Sequence, residues 1–109
     1  MMNQSKDKIK NEFEVVEKHK RDTYVFNLFI NGNSVISART IQNAHSIFEK
    51  YLKGRYELKV IDASKEKSKI INEHIIALPV LIKRQPLPEI RLVGDLSDTQ
   101  KVIKDLMIE

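Results

Sequence analysis

The run TYVFNLFI, residues 23–30, limits the fold more than any other stretch of the chain. β-branched and aromatic residues dominate it, and both of its alternating faces are apolar except at Asn27. A strand with one face in water alternates apolar with polar. One that is apolar on both faces has to be covered on both, as at the centre of a parallel sheet. The chain must therefore place a layer on each side of this strand, which the α/β architectures do. The next residues agree. NGNS, residues 31–34, breaks the run. From Ser34 the period changes, and Ile41, Ala44, Phe48, Tyr51 and Leu52 fall on one helical face. Ser34 is placed to cap the start of that helix and Gly54 to end it. In RYELKVID, residues 55–62, Tyr56, Leu58 and Val60 alternate with Glu57 and Lys59, which predicts a strand with one wetter face. Strand, helix and strand joined by a right-handed crossover make the two strands parallel.

The second half is less regular. Residues 64–76, SKEKSKIINEHII, predict a helix capped by Ser64 with Ile70, Ile71 and Ile75 on its apolar side, but isoleucine is β-branched and the same doublets suit a strand. Pro79 then sits inside the apolar run of HIIALPVLIKR, residues 74–84. Proline has no N–H for a sheet ladder, so the strand must start after it. VLIK and EIRLV, residues 89–93, are strand-like and separated only by QPLP and its flanks, which predicts an antiparallel hairpin. Ser97 followed by Gln100 is a capping-box pattern, with Val102, Ile103, Leu106 and Met107 as the apolar stripe behind it. The order is βαβαββα, with helices covering a mixed sheet. Residues 1–22 are charge-dense and read as an N-terminal extension to a domain at 23–109. Ile9, Phe13 and Val16, about one helical turn apart, suit a short amphipathic helix, and a frayed tail suits the segment equally.

Composition removes several kinds of chemistry. The chain has no cysteine, so disulfides, thiolate catalysis and cysteine metal sites are excluded. His19, His45 and His74 stand far apart with no metal-ligand spacing, and the serines lack a nucleophile-elbow context. Asn31-Gly32-Asn33 precedes a helix start, but a single glycine falls well short of a phosphate loop. The net charge of +4 is spread among interspersed acidic residues and forms no nucleic-acid stripe. With no long apolar segment and no signal-like start, a cytoplasmic protein is expected. No active site is assembled, and the residues point to a binding or regulatory protein without cofactor or metal.

A βαβαββα chain with a proline before its third strand is similar to thioredoxins. Here the stretch matching their CxxC is Asn33-Ser34-Val35-Ile36, without sulfur. TYVFNLFINGNSVISAR, YELKVID, ALPVLIK, PLP and IRLVGDLSD, in this order and spacing, closely resemble the KaiB family, over roughly residues 23–108. The chain departs from that family's pattern at Leu78 and Val80, where threonines are usual, and at Leu87 within a proline triplet. The resemblance implies a non-enzymatic protein that binds a KaiC-type hexameric ATPase and alters its ATPase and phosphorylation cycle. The setting would be a circadian clock, or a clock-like or stress-related system. It also implies a fold-switching family: a ground state, dimeric or tetrameric, with a βαββααβ arrangement, and a thioredoxin-like state that binds the ATPase. Arg39, Lys59, Lys83 and Arg91 match the family's partner-binding positions, and Pro79 matches its switch-region proline. A cis Leu78–Pro79 bond is expected in the thioredoxin-like state and a trans bond in the ground state. Two other readings remain open from the sequence. One is a KaiB-like sensory domain acting in trans on a histidine kinase; the other is a basic nucleic-acid-binding domain.

Overall fold

The computed structural model describes residues 23–108. The extension at 1–22 lies outside the described residues. The run at 23–30 forms strand β1 (Tyr24–Ile30), and the sheet closes around it. Helix α1 (Val35–Tyr51), strand β2 (Tyr56–Asp62), helix α2 (Lys67–Asn72), strands β3 (Val80–Gln85) and β4 (Ile90–Val93) and helix α3 (Thr99–Asp105) follow in that order. The sheet order is β2-β1-β3-β4. β1 runs parallel to β2 and antiparallel to β3, and β3 and β4 form the antiparallel hairpin. This is the βαβαββα layout expected from the sequence, with β1 in the interior.

Both faces of β1 are buried, as its composition requires. Tyr24, Phe26, Leu28 and Ile30 enter the main core with Ala44, Ile47, Phe48 and Leu52 from α1 and its end, Leu81 from β3, and Val102, Leu106 and Ile108 from α3 and its continuation. The rings of Phe26 and Phe48 stack at a centroid distance of 4.0 Å. Phe29 faces the other way, into a smaller cluster with Ile61, Val80 and Ile82, against which Ile70, Ile75 and Leu78 pack.

α1 starts where the sequence predicts. Ser34 is in an extended conformation, and its Oγ accepts the Ser37 N–H at 3.0 Å. The two buried polar residues of the helix have partners: Ser37 Oγ accepts from Ser34 Oγ at 2.8 Å, and Thr40 Oγ1 donates to the Ile36 carbonyl at 2.7 Å. Gly54, at φ 76°, reverses the chain into β2 in the left-handed region that glycine enters without strain.

Four local expectations are corrected. Ser64 does not cap α2: its N–H and Oγ both donate to Asp62 Oδ1, at 3.0 and 2.7 Å. α2 begins instead at Glu66, with no side-chain cap, and Ile71 points to solvent while Ile70 packs inward. The cap of α3 is Asp98, whose side chain accepts the Lys101 N–H at 3.2 Å, and the Gln100 side chain turns to the Tyr51 hydroxyl. Met107 leaves the apolar stripe because the chain turns left-handed there (φ 58°), which brings Ile108 into the core in its place. Leu78–Pro79, Gln85–Pro86 and Leu87–Pro88 are all cis. Pro79 stands just ahead of β3, and its carbonyl accepts the Gly94 N–H at 3.0 Å.

Candidate partner-binding face

Strand register decides which basic residues can act together. In β2, Lys59 lies beside Asn27 of β1; Asn27 lies beside Ile82 of β3, and Ile82 beside Arg91 of β4. Residues paired across a ladder share a face. Lys59 and Arg91 are therefore the two ends of one row across the sheet, on the face that α2 covers. Arg84, two residues after Ile82, belongs to the same face.

Arg84 organises the middle of this face. Its Nε donates to Asn27 Oδ1 at 2.7 Å, and its two terminal nitrogens pair with Glu73 at 2.9 Å and Glu89 at 3.3 Å. Arg91 reaches the same two carboxylates, at 3.7 and 3.8 Å, and donates to the His74 carbonyl at 3.4 Å. Glu73 ends α2 and Glu89 precedes β4, so the two arginines tie helix, central strand and edge strand together. Partly exposed pairs of this kind contribute on the order of 1 kcal/mol each. Their effect here is to hold the guanidinium planes in place.

Two open hollows flank the network. One, of about 200 Å³, is lined by Lys59, Lys69, Glu73 and Arg84 over Phe29 and Ile61. Lys69 pairs with Glu66 at 3.0 Å, and hydrogen bonding to that carboxylate raises its pKa. The second hollow, also about 200 Å³, is apolar and is lined by Ile75, Ile76, Ala77, Val80 and Val93 beside Arg91. Ile76 is 98 % exposed and Val93 60 %. Charged groups beside uncovered aliphatic side chains suit contact with a protein surface that carries carboxylates.

The five residues singled out from the sequence do not form one site. Lys59 and Arg91 share the α2 face. Arg39 is exposed on α1, which packs on the opposite side of the sheet. Lys83 pairs with Phe26 and Ile90 in the ladders and so faces the main core, where it is 1 % exposed. Burial pushes its pKa down, because an ammonium loses hydration there. As an ordinary surface charge Lys83 is misplaced; the basic residue of β3 on the α2 face is its neighbour Arg84. The alternation of β3 carried half of that signal, since it separates the two residues without saying which is buried. With Val80 and Ile82 on one face, Lys83 and Arg84 cannot both be on it. Nor is the turn at 31–33 an anion cradle, since the Gly32 N–H donates to Asp62 Oδ1 at 3.0 Å. That bond and those from Ser64, the Ser64 hydroxyl foremost, hold the Asp62 carboxyl below its usual range.

A family model described as the KaiB domain matches residues 27–108. The chain belongs to the KaiB family. It is 42 % identical over 91 residues to the circadian clock oscillator protein KaiB of Thermosynechococcus vestitus, covering 82 % of this chain and 84 % of that protein. Against the KaiB of Synechococcus elongatus it is 41 % identical over 83 residues, covering 76 % and 81 %. Among solved structures, the N-terminal domain of Synechococcus elongatus SasA aligns with a TM-score of 0.65 at 20 % identity, over 79 % of this chain and 85 % of that one. Chloroplastic thioredoxin z aligns with a TM-score of 0.63 at 17 % identity, over 86 % and 88 %. Identities this low speak for the fold alone, and the fold is thioredoxin-like. This KaiB-family chain thus has the thioredoxin-like arrangement, with the Lys59–Arg91 row on its α2 face. No helix of the described residues is long and apolar enough to cross a membrane.

Proposed function

We propose that this chain is a non-enzymatic regulator that binds a KaiC-type hexameric ATPase and modulates its ATPase and phosphorylation cycle, in a circadian clock or a related stress-response system. The observation that carries the reading is membership of the KaiB family over residues 27–108, with relatives named as circadian clock oscillator proteins. The α2 face supports it: Lys59 and Arg91 stand on one row, with an apolar hollow beside Arg91. On this reading Lys59 and Arg91 pair with carboxylates of the ATPase, and Arg39 adds a contact from α1. Lys83 acts from beneath, through the packing of β3. Pro79 marks the segment that rearranges towards the βαββααβ form, in which the chain assembles as a dimer or tetramer.

The test is co-elution of the full chain with the cognate ATPase from a sizing column, followed by the ATPase rate of the complex. Arg91→Glu reverses the charge at one end of the row and is expected to weaken the complex at least about tenfold. No complex with the cognate ATPase, or one indifferent to both Arg91→Glu and Lys59→Glu, would remove the reading. A second reading is a KaiB-like sensory domain acting in trans on a histidine kinase. Binding to a kinase and not to the ATPase selects it. Salt-sensitive binding to DNA or RNA in place of both would select the nucleic-acid reading.

A further inference from the structure

The polar hollow under α2 gathers positive charge from three elements. Lys59 comes from β2, Lys69 from α2 and Arg84 from β3. Among the described residues that line it, Glu73 is the one carboxylate. Helical spacing puts Lys69, Asn72 and Glu73 on one stripe of α2, and that stripe faces the hollow. Phe29 and Ile61 form the floor.

The pairs already made leave donors over. Arg84 Nε is held by Asn27 Oδ1 and its terminal nitrogens by Glu73 and Glu89, which engages three of the five N–H groups of a guanidinium. The pair with Glu66 engages one of the three N–H groups of the Lys69 ammonium. Glu73 is shared between Arg84 and Arg91, so two cations match its single charge. The side chains of Lys59 and Lys69 also come within hydrogen-bonding reach of each other. Two amino groups that close repel while both carry charge. An anion seated between them would replace that repulsion with two attractions.

A phosphoryl group suits this arrangement better than a carboxylate. It carries about −1.5 to −2 charges at pH 7 and three strong acceptor oxygens. Cations that arrive from two strands and a helix meet such a group from different sides, whereas a carboxylate presents two oxygens in one plane. A water needs only ~10–15 Å³ of such space, so a hollow of about 200 Å³ has room for a phosphoryl group and the waters it keeps. We propose that the hollow between Lys59, Lys69 and Arg84 binds a phosphoryl group, as a free phosphate ion or as the end of a phosphate ester. The site stands independently of the ATPase reading. A phosphoryl group seated there engages Lys59 and so competes with any carboxylate that pairs with this lysine.

The experiment is an amide-shift titration of the isotope-labelled full chain with inorganic phosphate at neutral pH, chloride being exchanged for phosphate at constant ionic strength. Saturable shifts are expected at Lys59, Lys69, Asn72 and Arg84. Lys59→Gln and Lys69→Gln should each weaken binding about fivefold or more, because each removes a charge-assisted contact. Lys101→Gln takes the same charge from α3 and should leave the affinity within about twofold of wild type, since exposed charges at a distance are screened. All three lysines reach solvent, and circular dichroism checks that the variants fold. Repeating the titration with adenosine monophosphate separates the two sources. Tighter binding of the ester selects an ester ligand and binding of phosphate alone selects the free ion; both uphold the site. No saturable shift with either compound overturns the proposal. So does binding that all three lysine variants weaken alike, the mark of net charge alone, or binding that ignores either Lys59→Gln or Lys69→Gln.

Discussion

The two faces of the sheet are built differently. On one, α1 and α3 close a core in which Phe26, Leu28, Phe48, Leu81 and Leu106 are sealed from solvent. On the other, α2 is six residues long, buries none of them, and covers only Phe29, Ile61, Val80 and Ile82 with help from Ile70 and Ile75. What the short helix leaves open is filled by Arg84, Arg91, Glu73 and Glu89. The first face holds the chain together. The second has charges fixed in position and aliphatic residues left uncovered, the composition of a contact surface. The same strands serve both, because successive side chains point to opposite sides.

The largest effect expected on this contrast is Phe48→Ala, which empties a ring-sized space in the sealed core and should cost ~3–5 kcal/mol in denaturant unfolding. Ile70→Ala, the matching truncation under α2, should cost less than half of that, because a half-open site can relax. Equal costs would mean that α2 closes its face as firmly as α1 closes the other. Next comes Ser34→Ala, which removes the cap of α1 and should cost ~1 kcal/mol. α2 has no side-chain cap to lose, so its amides should exchange with solvent faster than those of α1 before any substitution. Arg84→Ala should change global stability by less than about 1 kcal/mol. Its readout is local, as faster hydrogen exchange at residues 67–73 once Glu73 is released; unchanged exchange would separate the network from the helix.

The smallest effect is a pH slope. Lys83 has a folded pKa lowered by burial, so between that value and the unfolded lysine range the folded chain binds fewer protons than the unfolded chain. Its contribution to stability therefore rises with pH over that window. Below that window, where both forms are protonated, the cost of the buried charge is present in full. Lys83→Met should stabilise the protein below that window and flatten the slope of its unfolding free energy across it. A slope unchanged by the substitution would place the ammonium in water after all.

Much of this architecture is legible without coordinates. The doubly apolar run 23–30 marks the interior strand, because only a strand covered on both sides lacks a polar face. Ser34 and Gly54 mark a helix whose ends are set by local hydrogen bonding and backbone freedom. Where local signals competed they misled. Ser64 and Asp98 both have side chains able to cap a helix, but Asp62 captures Ser64, and Asp98, one residue after the expected Ser97, takes the N–H of Lys101. The candidate site was the least legible part. Arg39, Lys59, Lys83 and Arg91 look alike as residues. A run such as VLIKRQ has apolar residues on both faces, so its alternation alone does not say which face is the core.

The sequence by itself determined the order of the elements, the central place of β1 and the absence of thiol chemistry. These depend on residue type and on periods within one segment. Only the tertiary structure decided that Lys59 and Arg91 share a row, that Arg84 joins them and that Lys83 is buried behind them. Those facts depend on the register between strands far apart in the chain. A register shift of one residue would exchange the faces and leave every local pattern unchanged.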